Sequence, residues 1–191
     1  AFLARCIKCP FTGFAWLEVG IGLAGSCSVL VMAGMVGLTY TLPEWLQQIY
    51  GLHPSITTDG GFISTLQTLA HYTPFIAGFI LGAMIGMEIP LIARVREQIH
   101  GQHLMHNTGT IYGADYIGAG IGAAIWVAVC LHIPIMAAAV GTATINLIIG
   151  LVFLWRYQGE ILRPTRLWVT HAGLAVLLVV LGLNGNDWFY N

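Results

Sequence analysis

Glu88 and Asp115 are the side chains whose type and setting point most directly to chemistry. Glu88 stands in Gly86-Met87-Glu88-Ile89-Pro90, and Asp115 opens Asp115-Tyr116-Ile117-Gly118-Ala119-Gly120-Ile121-Gly122; both stretches are apolar and rich in glycine. An ionised carboxylate in hydrocarbon is costly unless it is paired, hydrated or protonated. Two carboxylates in such settings can hold or pass a cation, or clasp a basic residue of a neighbouring helix. Which of these applies depends on the elements that carry them.

Those elements read as membrane helices. Of 191 residues, 57% are hydrophobic and 8% charged, against about 25% charged in an ordinary soluble domain. Apolar runs of the roughly 20 residues needed to cross a bilayer recur along the chain. They predict an all-α polytopic bundle in one membrane domain, 1–191, with spans at about 16–40, 73–93, 114–133, 135–155 and 167–184. The third and fourth spans form one long apolar stretch. Leu131-His132-Ile133-Pro134 breaks it into a hairpin, since proline cannot continue the hydrogen-bond ladder behind it.

Basic residues set the orientation. With five crossings, all seven Lys and Arg (Arg5, Lys8, Arg94, Arg96, Arg156, Arg163, Arg166) fall on one side, and Glu44, Asp59 and Asp187 on the other. By the positive-inside rule the N-terminus is expected in the cytoplasm and the C-terminus outside, in a bacterial inner membrane. The net charge of −1 and the absence of a basic, aromatic-interleaved stretch point away from nucleic acid.

Small residues predict how two of the helices pack. Gly78, Gly82 and Gly86 on the second span, and Ala114, Gly118 and Gly122 on the third, recur at every fourth position. Such stripes let helix backbones approach closely, so the two spans are expected face to face. Glu88 lies six residues before Arg94, about 9 Å of helix rise, and Asp115 lies just inside the third span. Both acids are therefore expected at matched depth near the cytoplasmic surface. Arg94 or Arg96 can fold back onto them, and Asn146 of the fourth span is expected to hydrogen-bond across helices. Glu88, Asp115, Arg94, Arg96 and Asn146 are read as an intramembrane polar clasp.

Other polar residues have plainer readings. Glu18, at the cytoplasmic end of the first span, is read as interfacial and solvated. Pro43 to Tyr50 predicts a short helix lying in the interface within an outer loop at about 41–72. His100, His103 and His106 in the loop from Arg94 to Thr110 have metal-like spacing, but the glycines at 101 and 109 argue against a rigid face. Cys6 and Cys9 have half the spacing of a zinc or redox site and nothing to complete it. His132 and His171 could each ligate a pigment or haem, yet each has an interfacial explanation. No metal, cofactor or catalytic residue is assigned.

These residues carry a resemblance. Gly-Met-Glu-Ile-Pro-Leu-Ile-Ala-Arg at 86–94, Asp115-Tyr116-Ile117-Gly118-Ala119, and Gly141 with Ile145-Asn146 resemble the integral-membrane domain of spermidine synthase-like proteins, which are bacterial polyamine aminopropyltransferase relatives. Trp16-Leu17-Glu18 is similar to the start of the preceding helix, so the resemblance covers about 14–155. It implies a bundle of seven or eight helices followed by a Rossmann-like catalytic domain. The first two helices of that bundle have no counterpart here. Neither have the catalytic domain's Gly-rich loop for the aminopropyl donor and its acidic, amine-binding residues. Both ends look abrupt, so the chain is expected to be part of a longer protein or one subunit of a complex.

The expected function is a non-catalytic integral-membrane subunit or domain that anchors or organises a larger assembly, with membrane lipids and other membrane subunits as partners. Three alternatives stand beside it: the membrane half of an aminopropyltransferase-like enzyme, a polyamine or cation carrier, and a pigment- or haem-associated subunit.

Overall fold

A computed structural model describes residues 7–51, 53, 61–101 and 104–190, without the side chains at 100, 104–108, 189 and 190. Arg5, Cys6, Asp59 and His103 lie outside these, as do the side chains of His100 and His106. Among the described residues all regular structure is helical: α1 (Pro10–Tyr50), α2 (Phe62–His100), α3 (Leu104–Ala128), a 3-10 turn (Cys130–His132), α4 (Ile135–Arg156) and α5 (Pro164–Tyr190). All five helices contain a stretch long and apolar enough to cross a membrane.

The helix ends follow local chemistry. Pro10 and Pro164 each open a helix, where the missing amide is not needed and φ is already helical. Gly51 closes α1 in the left-handed region (φ 60), its amide bonding back to the carbonyls of Gln47 and Gln48. Pro134 stands at the cap of α4 with φ −54 and ψ 139, turning the chain between α3 and α4.

Two expectations are corrected here. Pro43 does not start a separate interfacial helix, because residues 43–50 are the last two turns of α1. A mid-helix proline forfeits one amide bond, and nothing in Leu38-Thr39-Tyr40-Thr41-Leu42 stops the helix before it. Thr39 and Thr41 instead bond their hydroxyls to the carbonyls of Val36 and Gly37 in the preceding turn. The segment from Arg94 to Thr110 is likewise mostly helix, since α2 runs on to His100 and α3 begins at Leu104. At 41 and 39 residues, α1 and α2 are each about 60 Å long, twice the roughly 30 Å of a hydrocarbon core.

The bundle is built around α1, which packs against α2, α4 and α5, while α4 also packs against α5. One part of the core lies at the end where α1 and α5 begin and α2 and α4 finish. There Phe11, Ala15, Val95, Leu154, Ile161 and Leu167 bury one another. Phe11, Phe14, Phe153 and Tyr157 stack beside them with ring centroids 4.6 to 6.2 Å apart. Polar bonds tie the same end. Arg94 donates to the Ile7 carbonyl (2.8 Å), the Leu162 amide to Thr12 Oγ1 (2.9 Å), and Cys9 Sγ to the Glu160 carbonyl (3.4 Å). Lys8, Arg94, Arg96, Arg156, Arg163 and Arg166 are thereby gathered at one end of the molecule.

The predicted face-to-face packing of the glycine stripes is not what the structure shows. A Cβ added at Gly78, Gly82, Gly86, Gly118 or Gly122 would meet nothing within 4 Å. The reason is angular. Met84, Met87 and Leu91 dock α2 onto Phe14, Leu17 and Ile21 of α1. Met84 is two residues beyond Gly82, about 200° around the helix, so the stripe points away from α1. Helix α3 has its substantial contacts with α2 and the following 3-10 turn, and from Tyr112 to Ala128 it is exposed throughout.

Candidate functional site

The buried faces of three helices can be read as stripes at alternating three- and four-residue steps. On α1 the stripe is Phe11, Phe14, Glu18, Ile21; on α4, Ala143, Leu147, Gly150, Leu154; on α5, Leu167, His171, Leu174, Leu178, Leu181. The α1 and α5 stripes are each apolar except at one position, Glu18 and His171, and these meet across the α4 stripe at Gly150. Glu18 is 4% exposed and His171 1%. Gly150 lies between them: a Cβ there would fall 2.6 Å from His171 Nε2 and 3.2 Å from Glu18 Cβ. Only a residue without a side chain leaves room for the imidazole against α4.

Hydrogen bonding orients this cluster and leaves part of it unsatisfied. His171 Nδ1 lies 2.8 Å from the Leu167 carbonyl. A carbonyl only accepts, so Nδ1 carries the proton, and in the neutral ring Nε2 presents a lone pair. Nε2 is buried and has no hydrogen-bond partner, and neither has Glu18 Oε2. Buried polar atoms without partners are rare in folded proteins and call for an explanation.

Of the residues expected to form a clasp, Glu88 is brought to this cluster. It is half-buried and lies four residues beyond Met84, on the face of α2 turned to α1. Glu18 and Glu88 are within electrostatic reach of each other, as are Glu88 and Asp115. Asp115 itself is exposed on α3. Depth is matched as well. Glu88 precedes Arg94 by six residues and Gly150 precedes Arg156 by six, while His171 follows Arg166 by five, so all three lie about 8–9 Å from the basic end.

The remaining clasp residues are placed differently. Arg94 gives an N–H to the Ile7 carbonyl at the start of α1. The Nε of Arg96 is buried without a hydrogen-bond partner. Asn146 is half-buried and makes no cross-helix hydrogen bond among the described residues. Thr142 and Thr144, its polar neighbours on α4, bond back to carbonyls of their own helix.

Sequence reasoning missed the meeting of Glu18, Gly150 and His171, although stripe position carried a signal for the burial of Glu18 and His171. Glu18 was read by its distance from the helix end, which predicts solvation. Its position in the three-and-four stripe with Phe11 and Phe14 predicts burial, and packing by α4 and α5 makes burial prevail. His171 sits in the Leu167–Leu181 stripe in the same way. Among the described residues no three His, Cys, Asp or Glu side chains converge closely enough to hold a metal ion.

No protein-family model matches the chain, and no solved structure matches it. Curated proteins do. Polyamine aminopropyltransferase of Shewanella oneidensis is 50% identical over 188 residues, which are 98% of this chain and 33% of that protein. Polyamine aminopropyltransferase of Oceanobacillus iheyensis is 26% identical over 174 residues, 89% of this chain and 28% of that protein. Polyamine aminopropyltransferase 1 of Streptomyces coelicolor is 26% identical over 180 residues, covering 91% and 28%. The chain spans about a third of the length of these relatives or somewhat less. It therefore matches a partial, membrane-like portion of spermidine synthase-like proteins.

Proposed function

We propose that the chain is a non-catalytic integral-membrane domain or subunit that anchors and organises a larger assembly in a bacterial inner membrane, with its N-terminus in the cytoplasm. The observation that carries this reading is the outward-facing pair of small-residue stripes. Gly78, Gly82 and Gly86 on α2 and Gly118 and Gly122 on α3 occupy exposed helix faces with open space above them. Helices associate in membranes by close backbone packing at such stripes, so these faces suit a further membrane helix. The match to a third of a longer relative supports the same reading.

The stripe can be blocked without touching the fold. Gly82→Leu and Gly118→Leu introduce side chains where nothing lies within 4 Å, so thermal stability in detergent should change by no more than about 0.5 kcal/mol. Cross-linked or native-gel complexes from membranes should shrink towards the single chain. A wild-type protein that migrates alone, or complexes that ignore both substitutions, would refute the anchoring role.

Orientation has its own check. In a background with the native cysteines replaced, a cysteine at Glu160 should react with an impermeant maleimide only after the membrane is opened. One at Gly51 should react in intact cells. The reverse pattern would invert the topology.

A second reading follows from the relatives' names: the chain is the membrane half of an aminopropyltransferase-like enzyme. Aminopropyl transfer by the intact protein isolated from its source would favour it over a purely organising role.

A further inference from the structure

A cavity of about 470 Å³ opens at the basic end of the bundle, lined by Thr12, Trp16, Leu162, Arg163 and Arg166. Its size is within the roughly 300–1,000 Å³ of small-ligand sites. The walls are tied together: the Leu162 amide donates to Thr12 Oγ1 (2.9 Å), and the Thr12 hydroxyl reaches Cys9 Sγ (3.3 Å). Arg163 holds φ at 56, in the left-handed region where glycine fits better than a residue with a side chain. Such local strain is characteristic of residues kept for a function. Arg166 follows within one turn, its amide bonding to the Arg163 carbonyl (3.2 Å). Among the described residues neither guanidinium has an acidic or hydrogen-bonding partner, and no carboxylate lines the cavity. An occupant that satisfies both must bring negative charge and several acceptor oxygens, as a phosphodiester does.

The position of the cavity selects the source of that phosphate. Trp16, Trp155 and Trp168 are all exposed at this end, and exposed tryptophans of membrane proteins sit at headgroup level. Leu23 and Gly173 lie seven residues, about two turns, beyond Trp16 and Arg166 on the same helix faces. Leu23 is exposed, and a Cβ at Gly173 would meet nothing within 4 Å. An acyl chain can therefore run inward from the cavity along α1 and α5, which pack on each other. A free phosphate would leave those faces unused. We propose that Thr12, Trp16, Leu162, Arg163 and Arg166 form a binding site for an anionic phospholipid, its phosphate held by the two guanidiniums and its acyl chain laid past Leu23 and Gly173. A zwitterionic lipid is disfavoured, because its ammonium is repelled by the same guanidiniums. The site does not depend on the anchoring role.

The test uses the intact protein, delipidated in non-ionic detergent, with native mass spectrometry counting bound lipid as dioleoylphosphatidylglycerol or dioleoylphosphatidylcholine is added. Saturable retention of phosphatidylglycerol is expected, with phosphatidylcholine held several-fold more weakly. Inorganic phosphate, which has no acyl chain, should not displace the lipid. Arg166→Gln, at an exposed position, should weaken phosphatidylglycerol roughly fivefold, as loss of one basic contact to an anionic headgroup does. Arg163→Gly should weaken it similarly without loss of thermal stability, since glycine suits the backbone at φ 56. Arg156→Gln, exposed at the same end but outside the cavity, removes the same charge and should change nothing. Equal retention of the two lipids would overturn the proposal. An Arg156→Gln effect as large as that of Arg166→Gln would also overturn it, leaving only diffuse attraction to the basic end. Displacement by inorganic phosphate would replace the lipid site with a simple anion site.

Discussion

Gly150→Ala is expected to destabilise the bundle by about 1–3 kcal/mol, the range for forcing an extra methyl into a filled interior. The new Cβ would sit 2.6 Å from His171 Nε2, closer than atoms tolerate, and 3.2 Å from Glu18 Cβ, a tight contact. His171 cannot simply rotate away, because its Nδ1–H is held by the Leu167 carbonyl at 2.8 Å. Either that bond breaks inside an apolar interior or α4 and α5 separate. On propensity alone the substitution should help, since alanine is favoured over glycine in a helix by up to about 1 kcal/mol. Gly141→Ala, on the same helix with open space around it, isolates that effect and should be neutral or mildly stabilising. Reversible unfolding of both variants in mixed detergent micelles compares them directly. Equal stability of the two would mean that α4 does not approach His171 as closely as described.

The second large effect is expected at the opposite kind of position. Leu154 is 0% exposed and packs with Phe11, Ala15, Val95, Ile161 and Leu167 where four helices meet. Leu154→Ala should cost about 2–4 kcal/mol, as large-to-small changes in close-packed cores do, because rigid neighbours cannot refill the space. Val152, two residues earlier, is exposed on the other face of α4. In a membrane that face meets lipid tails as apolar as itself, so Val152→Ala loses little. Unfolding of the two variants in the same micelles gives the comparison. If both cost the same, α4 is rotated from the orientation seen here.

Both predictions turn on which face of a helix is inside, and sequence and structure divide on that point. Five membrane helices, their all-α character and the turn before Pro134 were readable from apolar run length and one proline, because the bilayer thickness and the backbone's need for internal hydrogen bonds leave few alternatives. The distance of Glu88 from the basic end, six residues or about 9 Å before Arg94, also followed from helix rise alone. The pairing of the glycine stripes did not, for a stripe shows that a close approach is possible and says nothing about which helix makes it. Here α1 took the opposite face of α2 through Met84, Met87 and Leu91. Pro43 misled for a related reason: its local signal marks a helix start, yet α1 runs through it.

The same distinction governs the candidate site. The chain's chemistry alone singled out Glu88 and Asp115, because a charge in an apolar stretch is conspicuous wherever it sits. It could not show that Glu18, a residue near a helix end, would be enclosed by α4 and α5, or that Gly150 would admit an imidazole beside it. Element type and span length are set by local energies along one helix, which the sequence carries directly. The meeting of Glu18, Glu88, Gly150 and His171 depends on how four helices rotate against one another, which only their mutual packing decides.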